Sequence, residues 1–534
     1  MRYAAPDLGK GARDRGSVDD AGPVKPMPSG KCDVGERQYD ALVVGGGHNG
    51  LSLGVRLAEA GLSTLLLERT ATVGGMSRSE DVFGTGSVHH AHANFLSFED
   101  CGAIGCEALG VPTILPEVQH GIAFRDGTAP VLLYDGGHAD RTGRSLARHS
   151  RRDAARFAEV KRRADTLGPA IARAMFAVPT RDTLEAQQAA IRRAYVGLDL
   201  NGCENARAVI DRLFRSPAVR TLFYMLALEL GGSLTERGSD LAFLGFVMWV
   251  IGRRRLPAGG MGSVSRGLAQ RLTELGGTIE TGADVTTIMI EDGRAAGVRL
   301  ADGRQIDALR LVAASAPLAE TCTRLLPRGS LRGRDATDVR RFIAADAPAS
   351  GTMRVDLATA PHYRSAVIDP DVDRCAQLFI GLDTPAEVLE HAADIAAGRL
   401  PAPAGAVRIN ALWDPAQASP GRHAAGADCS FPAPVRMGAA ILEQLPTLYP
   451  AAFLDMWRDY APNLSGSAVL ACRFDLDADY ERKLMLRTGP DQYRLGVERL
   501  YLCGAATYPG GGVHGACAAN AFAVIAADLG IATG

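Results

Sequence analysis

The chain has 534 residues, 47% of them hydrophobic and 22% charged. That is a globular protein with room for a large core, and it excludes a disordered chain or a disulfide-stapled mini-protein. Lys and Arg number 58 against 60 Asp and Glu, a net charge of −2, so no global field draws in nucleic acid.

At roughly 150 residues per domain, the length holds about three or four domains' worth of chain. Residues 1–36 are rich in Gly, Pro, Asp, Lys and Arg, lack the apolar stretch of a secretory signal, and read as a mobile tail. The ten cysteines form no CxxC pair and no zinc spacing with histidine. No metal is therefore expected, and scattered thiols fit a reducing, cytoplasmic compartment.

The first motif is YDALVVGGGHNG, residues 39–50. Ala41–Val44 is a short apolar run with the pattern of a buried parallel strand. Gly45, Gly47 and Gly50 complete GxGxxG, and LSLGVRLAEAG continues with helical spacing until Gly61. A second strand, Ser63–Glu68, ends in an acid 18 residues past Gly50. Strand, glycine turn, helix, strand and acid form a dinucleotide fingerprint. Gly45 allows the tight turn, Gly47 lets a pyrophosphate approach, and Gly50 permits close helix packing. The helix N-terminus offers free N–H groups to phosphate, and Glu68 accepts from ribose hydroxyls. Gly74-Gly75 follows six residues past Glu68. This E-x5-GG arrangement resembles the second signature of glutathione-reductase-type FAD folds, with Arg78 placed as a cation for the pyrophosphate.

Further along, VHHAHANF places His89, His90 and His92 in a segment whose alternation would set His90 and His92 on one strand face. SLARHSRRDAARFAEVKRRADTLG is an amphipathic, Arg-rich helical stretch. FYMLALELGG and LAFLGFVMWVIG are apolar almost all round and read as buried helices. The latter, Leu241–Gly252, stops short of the ~18 residues a membrane span needs, which leaves room for only a peripheral membrane contact. LPAGGMGSVSRGLA is a glycine loop entering a helix, and Thr278–Ile290 is strand-like. Asp292-Gly293 and Asp302-Gly303 are hairpin turns. Residues 385–435, rich in Ala, Pro and Gly, read as loops. Near the C-terminus, LYLC is a buried strand, GAATYPGGGVHG a glycine-rich turn, and Ala516–Leu529 a helix of small apolar residues. The backbone donors of that turn suit a delocalised anion.

Together VVGGGHNGL, ERTATVGGMSRS, LPAGGMGSVSRGLA, the TGADVTTI and GVRLADG hairpin, and LYLCGAATYPGGGVHGACAANAF resemble the phytoene desaturase family of FAD-dependent oxidoreductases. The resemblance is to the branch of pyridine nucleotide-disulfide oxidoreductase domain-containing protein 2, and it spans residues 39–525. It implies an α/β fold, with a glutathione-reductase-type FAD-binding Rossmann domain and a discontinuous α+β substrate domain. The FAD segments would be 37–110, 256–330 and 495–534, and the substrate segments 111–255 and 331–494. Gly45, Gly47, Gly50, Glu68, Arg69, Gly75, Arg78 and Val285 would then hold the ADP half and pyrophosphate, and Gly504, Gly512 and Val513 would lie along the flavin. Where relatives often carry His before PGGG, this chain has Tyr508.

No recognised attachment motif is present, so the FAD is expected to be non-covalent. No second GxGxxG follows a strand, so the electron acceptor is expected to be oxygen or a quinone. His514, Tyr508, His90 and His92 are the candidate acid/base residues. The expected reaction is desaturation or dehydrogenation of a small, mostly apolar organic substrate by hydride transfer to flavin N5. An amine or alcohol oxidase, or a non-catalytic FAD-containing scaffold, are the alternatives.

Overall fold

The computed structural model describes residues 38–96, 104–484 and 492–532; the segment read as an N-terminal tail lies outside the described residues. Two seven-stranded sheets organise the chain. In the first, the parallel strands run Leu500–Leu502, Gln305–Ala314, Tyr39–Val44, Thr64–Glu68 and Thr278–Thr281 in spatial order. Both faces of these strands are covered. Ala41 and Val43 pack with the helices His48–Glu59, Gly262–Glu274 and Ala516–Leu529. Leu42 and Val44 face a second apolar cluster that includes Val285, Val298 and Leu325. Continuous burial on both sides is why these segments read as unbroken apolar runs.

The strand Gln305–Ala314 is used twice. Its first residues pair antiparallel with Arg294–Leu300, and its last residues lie between Tyr39–Val44 and Leu500–Leu502. Asp292 and Gly293, at φ 48° and 82°, turn the hairpin to Val285–Glu291. The stretch Thr278–Ile290 is two strands at opposite edges, not one. The Gly282 N–H bonds to the Thr70 carbonyl and the Ala283 N–H to the Glu68 carbonyl, which carries the chain across the end of the neighbouring strand.

The second sheet runs Val469–Asp477, Ala349–Leu357, His423–Phe431, Gly405–Arg408, Leu378–Ile380, Val118–Ile122 and Val131–Tyr134. The helix Ala439–Tyr460 covers one face through Tyr449, Phe453 and Trp457. Residues 385–435, read from composition as loops, contain the helix Pro385–Ala397 and two strands of this sheet. A Thr384/Glu387 capping box with Pro385 at the first turn starts the helix, and its alanines sustain it.

A helical body fills the interval from Ala139 to Val250. The Arg-rich stretch is two helices, Ala139–His149 and Arg151–Met175, broken at Ser150, whose hydroxyl caps the second by accepting from the Asp153 N–H. Phe243, Val247, Met248 and Val250 of the apolar run are fully buried. No helix among the described residues is long and apolar enough to cross a membrane.

Ser315 and Ala316 stand where both glycine turns meet the sheet. A Cβ on Gly45 would lie 3.1 Å from the Ala316 nitrogen, one on Gly50 2.0 Å from the Gly45 carbonyl oxygen, and one on Gly504 2.9 Å from the Ser315 carbonyl oxygen. A Cβ on Gly47 meets nothing within 4 Å. Gly50→Ala is therefore expected to destabilise the protein by about 3 kcal/mol or more, since the clash is with backbone. Gly47→Ala should stay within about 1 kcal/mol of the parent. Thermal melts of the two variants check the contrast, and equal losses would contradict it.

Candidate functional site

The turn after Tyr39–Val44 is held by a side chain from the next strand. Glu68 is buried, and its Oε2 accepts from the Gly46 N–H at 2.7 Å. Its Oε1 accepts from the Thr70 N–H at 2.9 Å and the Thr70 hydroxyl at 2.7 Å. The second glycine pair docks on the same turn, with the Gly74 N–H donating to the Gly46 carbonyl at 2.8 Å.

A cavity of about 540 Å³ opens along these loops. Gly45, Gly47, Glu68, Arg69, Gly75, Arg78 and Val285 all line it, as do His48, Asn49 and Ala505. The residues present suit a flavin dinucleotide. Gly47 leaves its cavity side open, and the N-terminus of His48–Glu59 faces the space. The Asn49 Oδ1 is buried without a partner, an acceptor ready for a hydroxyl. Arg69 donates to Glu320 at 2.8 Å, and Arg78 is paired with Glu80. Gly504, Gly512 and Val513 are not among the lining residues. Gly504 packs on the end of the strand Gln305–Ala314, and Val513 sits in the core behind the turn.

His48, which the motif reading passed over, joins the two glycine turns. Its Nε2 lies 3.1 Å from the Gly512 carbonyl and donates to it. Burial, and then the nearby His514, lower its pKa to about 4.

Of the two roles open to His514 in its turn, acid/base or hydrogen bonding to its own loop, the structure shows the loop bonds. Its Nε2 donates to the Gly511 carbonyl at 3.2 Å, and its Nδ1 accepts from the Ala516 N–H at 3.1 Å. Both nitrogens are engaged by its own loop, the ring caps the helix Ala516–Leu529, and burial lowers its pKa to about 4. It is not among the residues lining the cavity. Tyr508 also lies off the cavity wall. Its N–H donates to Gln492, its carbonyl accepts from the Tyr493 hydroxyl, and its own hydroxyl reaches Gln187 of the helix Arg181–Ala194 at 3.4 Å.

The expected shared face of His90 and His92 does not form, because the short strand His89–His90 ends before His92. His90 is enclosed: Ser79 lies 3.2 Å from its Nδ1, and Gln417 and Asn410 each lie 3.1 Å from its Nε2. Burial lowers its pKa to about 4. Gln417 continues to Asp414, which accepts from the Gly259 N–H, so His90 fixes the glycine turn at 259–262. His89 pairs with buried Asp356 at 3.1 Å.

His92 is the acid/base candidate that lines the large cavity. The wall around it is polar: Thr352, Arg354, Arg473, Asp475 and Asp477 from the second sheet, and Lys483 from the short helix Tyr480–Leu484. Arg354 holds Asp475 and the backbone carbonyls of His90 and Ala91. Lys483 holds both oxygens of Asp477 at 2.7 and 2.6 Å. The one sequence signal for this wall was the alternation of charge in Arg473-Phe474-Asp475-Leu476-Asp477, which puts three charged residues on one strand face.

Two variants check these assignments. Glu68→Ala is expected to weaken dinucleotide binding about ten- to a hundredfold, from the loss of charge-assisted hydrogen bonds of about 1.5–3 kcal/mol. It should also lower the melting temperature of the apoprotein, because the Gly46 N–H loses its acceptor. Unchanged affinity by equilibrium dialysis would contradict this. His514→Ala should lower thermal stability and cofactor content. The reduction rate of cofactor-replete protein should fall less than about tenfold, short of the 10²–10⁴ of a lost general acid or base. Single-turnover reduction measures it.

Comparison with known proteins agrees with this geometry. Residues 50–339, over half of the chain, match the profile of the flavin containing amine oxidoreductases. A limonene dehydrogenase subunit from Castellaniella defragrans is 26% identical, with 93% of this chain and 96% of that protein covered. Mouse pyridine nucleotide-disulfide oxidoreductase domain-containing protein 2 is 27% identical, covering 92% of this chain and 94% of the relative. A putrescine oxidase structure with putrescine bound superposes with a TM-score of 0.55 at 16% identity, over 92% of this chain and 99% of that one, which is a likeness of fold. The chain belongs to the flavin containing amine oxidoreductase family, as an FAD-dependent oxidoreductase.

Proposed function

We propose that this flavoenzyme removes two hydrogens from a mostly apolar organic substrate, by desaturation or another dehydrogenation, with His92 taking the proton. The near full-length similarity to the limonene dehydrogenase subunit carries this reading. FAD, held without a covalent bond by the loops at Gly45–Gly50, Glu68, Gly75 and Val285, supplies a hydride acceptor at N5. Oxygen or a quinone then takes the electrons.

The protein's own part is to place the substrate and receive its proton. Burial lowers the pKa of His92 from the ordinary value of 6.5, and Asp428 offsets part of that. The ring is therefore neutral at pH 7 and able to accept a proton. The neutral form dominates above its pKa, so reduction should speed up as pH rises through a midpoint below 6.5 and then level off. The polar wall of Arg354, Asp475, Asp477 and Lys483 favours a second reading, oxidation of an amine or alcohol on the same scaffold.

Anaerobic mixing with limonene, phytoene, putrescine and benzyl alcohol separates the two. The proposal expects loss of flavin colour with a hydrocarbon, and slowing by about 10²–10⁴ in His92→Gln. Bleaching by putrescine or benzyl alcohol alone would overturn it in favour of the oxidase.

A further inference from the structure

The cavity wall beside His92 hides a second layer of charge. Asp428, on the strand His423–Phe431, has one carboxylate oxygen held by Arg408. The other, Oδ1, lies 3.9 Å from the His92 Nδ1 and 3.4 Å from the Thr352 hydroxyl. Arg408 is itself buried, and its remaining arm lies 3.4 Å from Glu229 of the helix Pro217–Gly231. The Tyr480 ring also lies against the imidazole, with centroids 4.2 Å apart. His92 thus has an aromatic ring and a carboxylate as neighbours, and that carboxylate is locked from behind.

We propose that Asp428 is the positioning residue of the dehydrogenation: with Arg408 fixing it, it orients His92 so that Nδ1–H faces Asp428 and Nε2 faces the substrate. This rests on the reading of His92 as the proton acceptor.

The geometry supports it in two ways. A neutral imidazole carries one N–H, and a carboxylate beside Nδ1 selects the tautomer with the proton there, leaving Nε2 as acceptor. After proton transfer, the imidazolium sits next to an anion instead of in an apolar wall. The separation of 3.9 Å is longer than a hydrogen bond. Catalytic contacts often tighten only once substrate is bound.

Asp428 stays ionised. Burial works against its charge, but Arg408 and then His92 hold its pKa below the usual carboxylate value. The other charges acting on His92 are Arg408 on Gly405–Arg408, Asp477 on Val469–Asp477, and Glu229 from the helical body. Arg354 on Ala349–Leu357 lines the same cavity. Asp428 is the acid that lies against the ring.

The test is NMR of the FAD-loaded protein with labelled histidine, the His92 signal being assigned by its loss in His92→Gln. Nitrogen shifts of the unmutated protein should show the proton on Nδ1; a proton on Nε2 overturns the proposal without any variant. In Asp428→Asn the His92 midpoint should fall by about one pH unit, the low end for an opposite charge at this range. The rising limb of flavin reduction should move with it. An unmoved midpoint in protein of normal FAD content overturns the proposal. Parent-like reduction by His92→Gln fails the underlying reading of His92 instead, and the NMR result distinguishes the two failures.

Discussion

One carboxylate organises the cofactor half of this molecule. Glu68 ends a parallel strand, and its two oxygens take the N–H of Gly46 and the N–H and hydroxyl of Thr70. A buried carboxylate is costly unless it is hydrogen-bonded, and these donors offset that cost by closing the turn that frames the pyrophosphate space. The Gly46 carbonyl in turn receives the second glycine pair, and the chain after Thr281 is drawn across by backbone bonds to Glu68 and Thr70. Three loops take their places from this one side chain and its neighbours. The fingerprint acid is thus a structural member before any ribose arrives.

The histidines divide by what surrounds their nitrogens. His48 and His514 bond the carbonyls of the glycine turn at 511–512, His90 is held by the side chains of Ser79, Gln417 and Asn410, and burial lowers the pKa of all three. They join loops that have no side chains of their own with which to hold together. His92 differs because its neighbours are a carboxylate, an aromatic ring and open space. Residue type is the same in all four, and His48 lines the cavity as His92 does; what their ring nitrogens hold separates a brace from a candidate base.

What was legible in the sequence follows from distance along the chain. The strand Tyr39–Val44, the helix His48–Glu59 and the acid Glu68 lie within one short segment, so spacing alone placed them. The two Asp-Gly hairpins and the small-residue helix Ala516–Leu529 were likewise local. The wall of the cavity was not, because Thr352 and Asp475, and Asp428 behind them, come from segments that meet only through the antiparallel register of the second sheet. Asp428 pairs with Thr352 across two strands, and no local pattern announces that. Composition misled where alanine was read as loop, since alanine with a capping box is a strong helix signal. For His514 the sequence leaves chemistry and a bond to its own loop both open, and only the fold shows two neighbouring backbone groups on its ring.

The strand Gln305–Ala314 takes a partner from the far end of the chain: its last three residues pair with Leu500–Leu502. During synthesis the strand Gln305–Ala314 emerges well before its partner Leu500–Leu502, so this position stays open while the intervening residues are made. The helical body at Ala139–Val250 is made before that strand and most of the second sheet, from Ala349–Leu357 to Val469–Asp477, in the interval, so both are free to gather first, as domains commonly do. The first sheet closes last, around a strand edge left open until Leu500–Leu502 is made. An unpaired strand edge is a template for wrong pairing, so the arrival of Leu500–Leu502 also removes a hazard from the new chain.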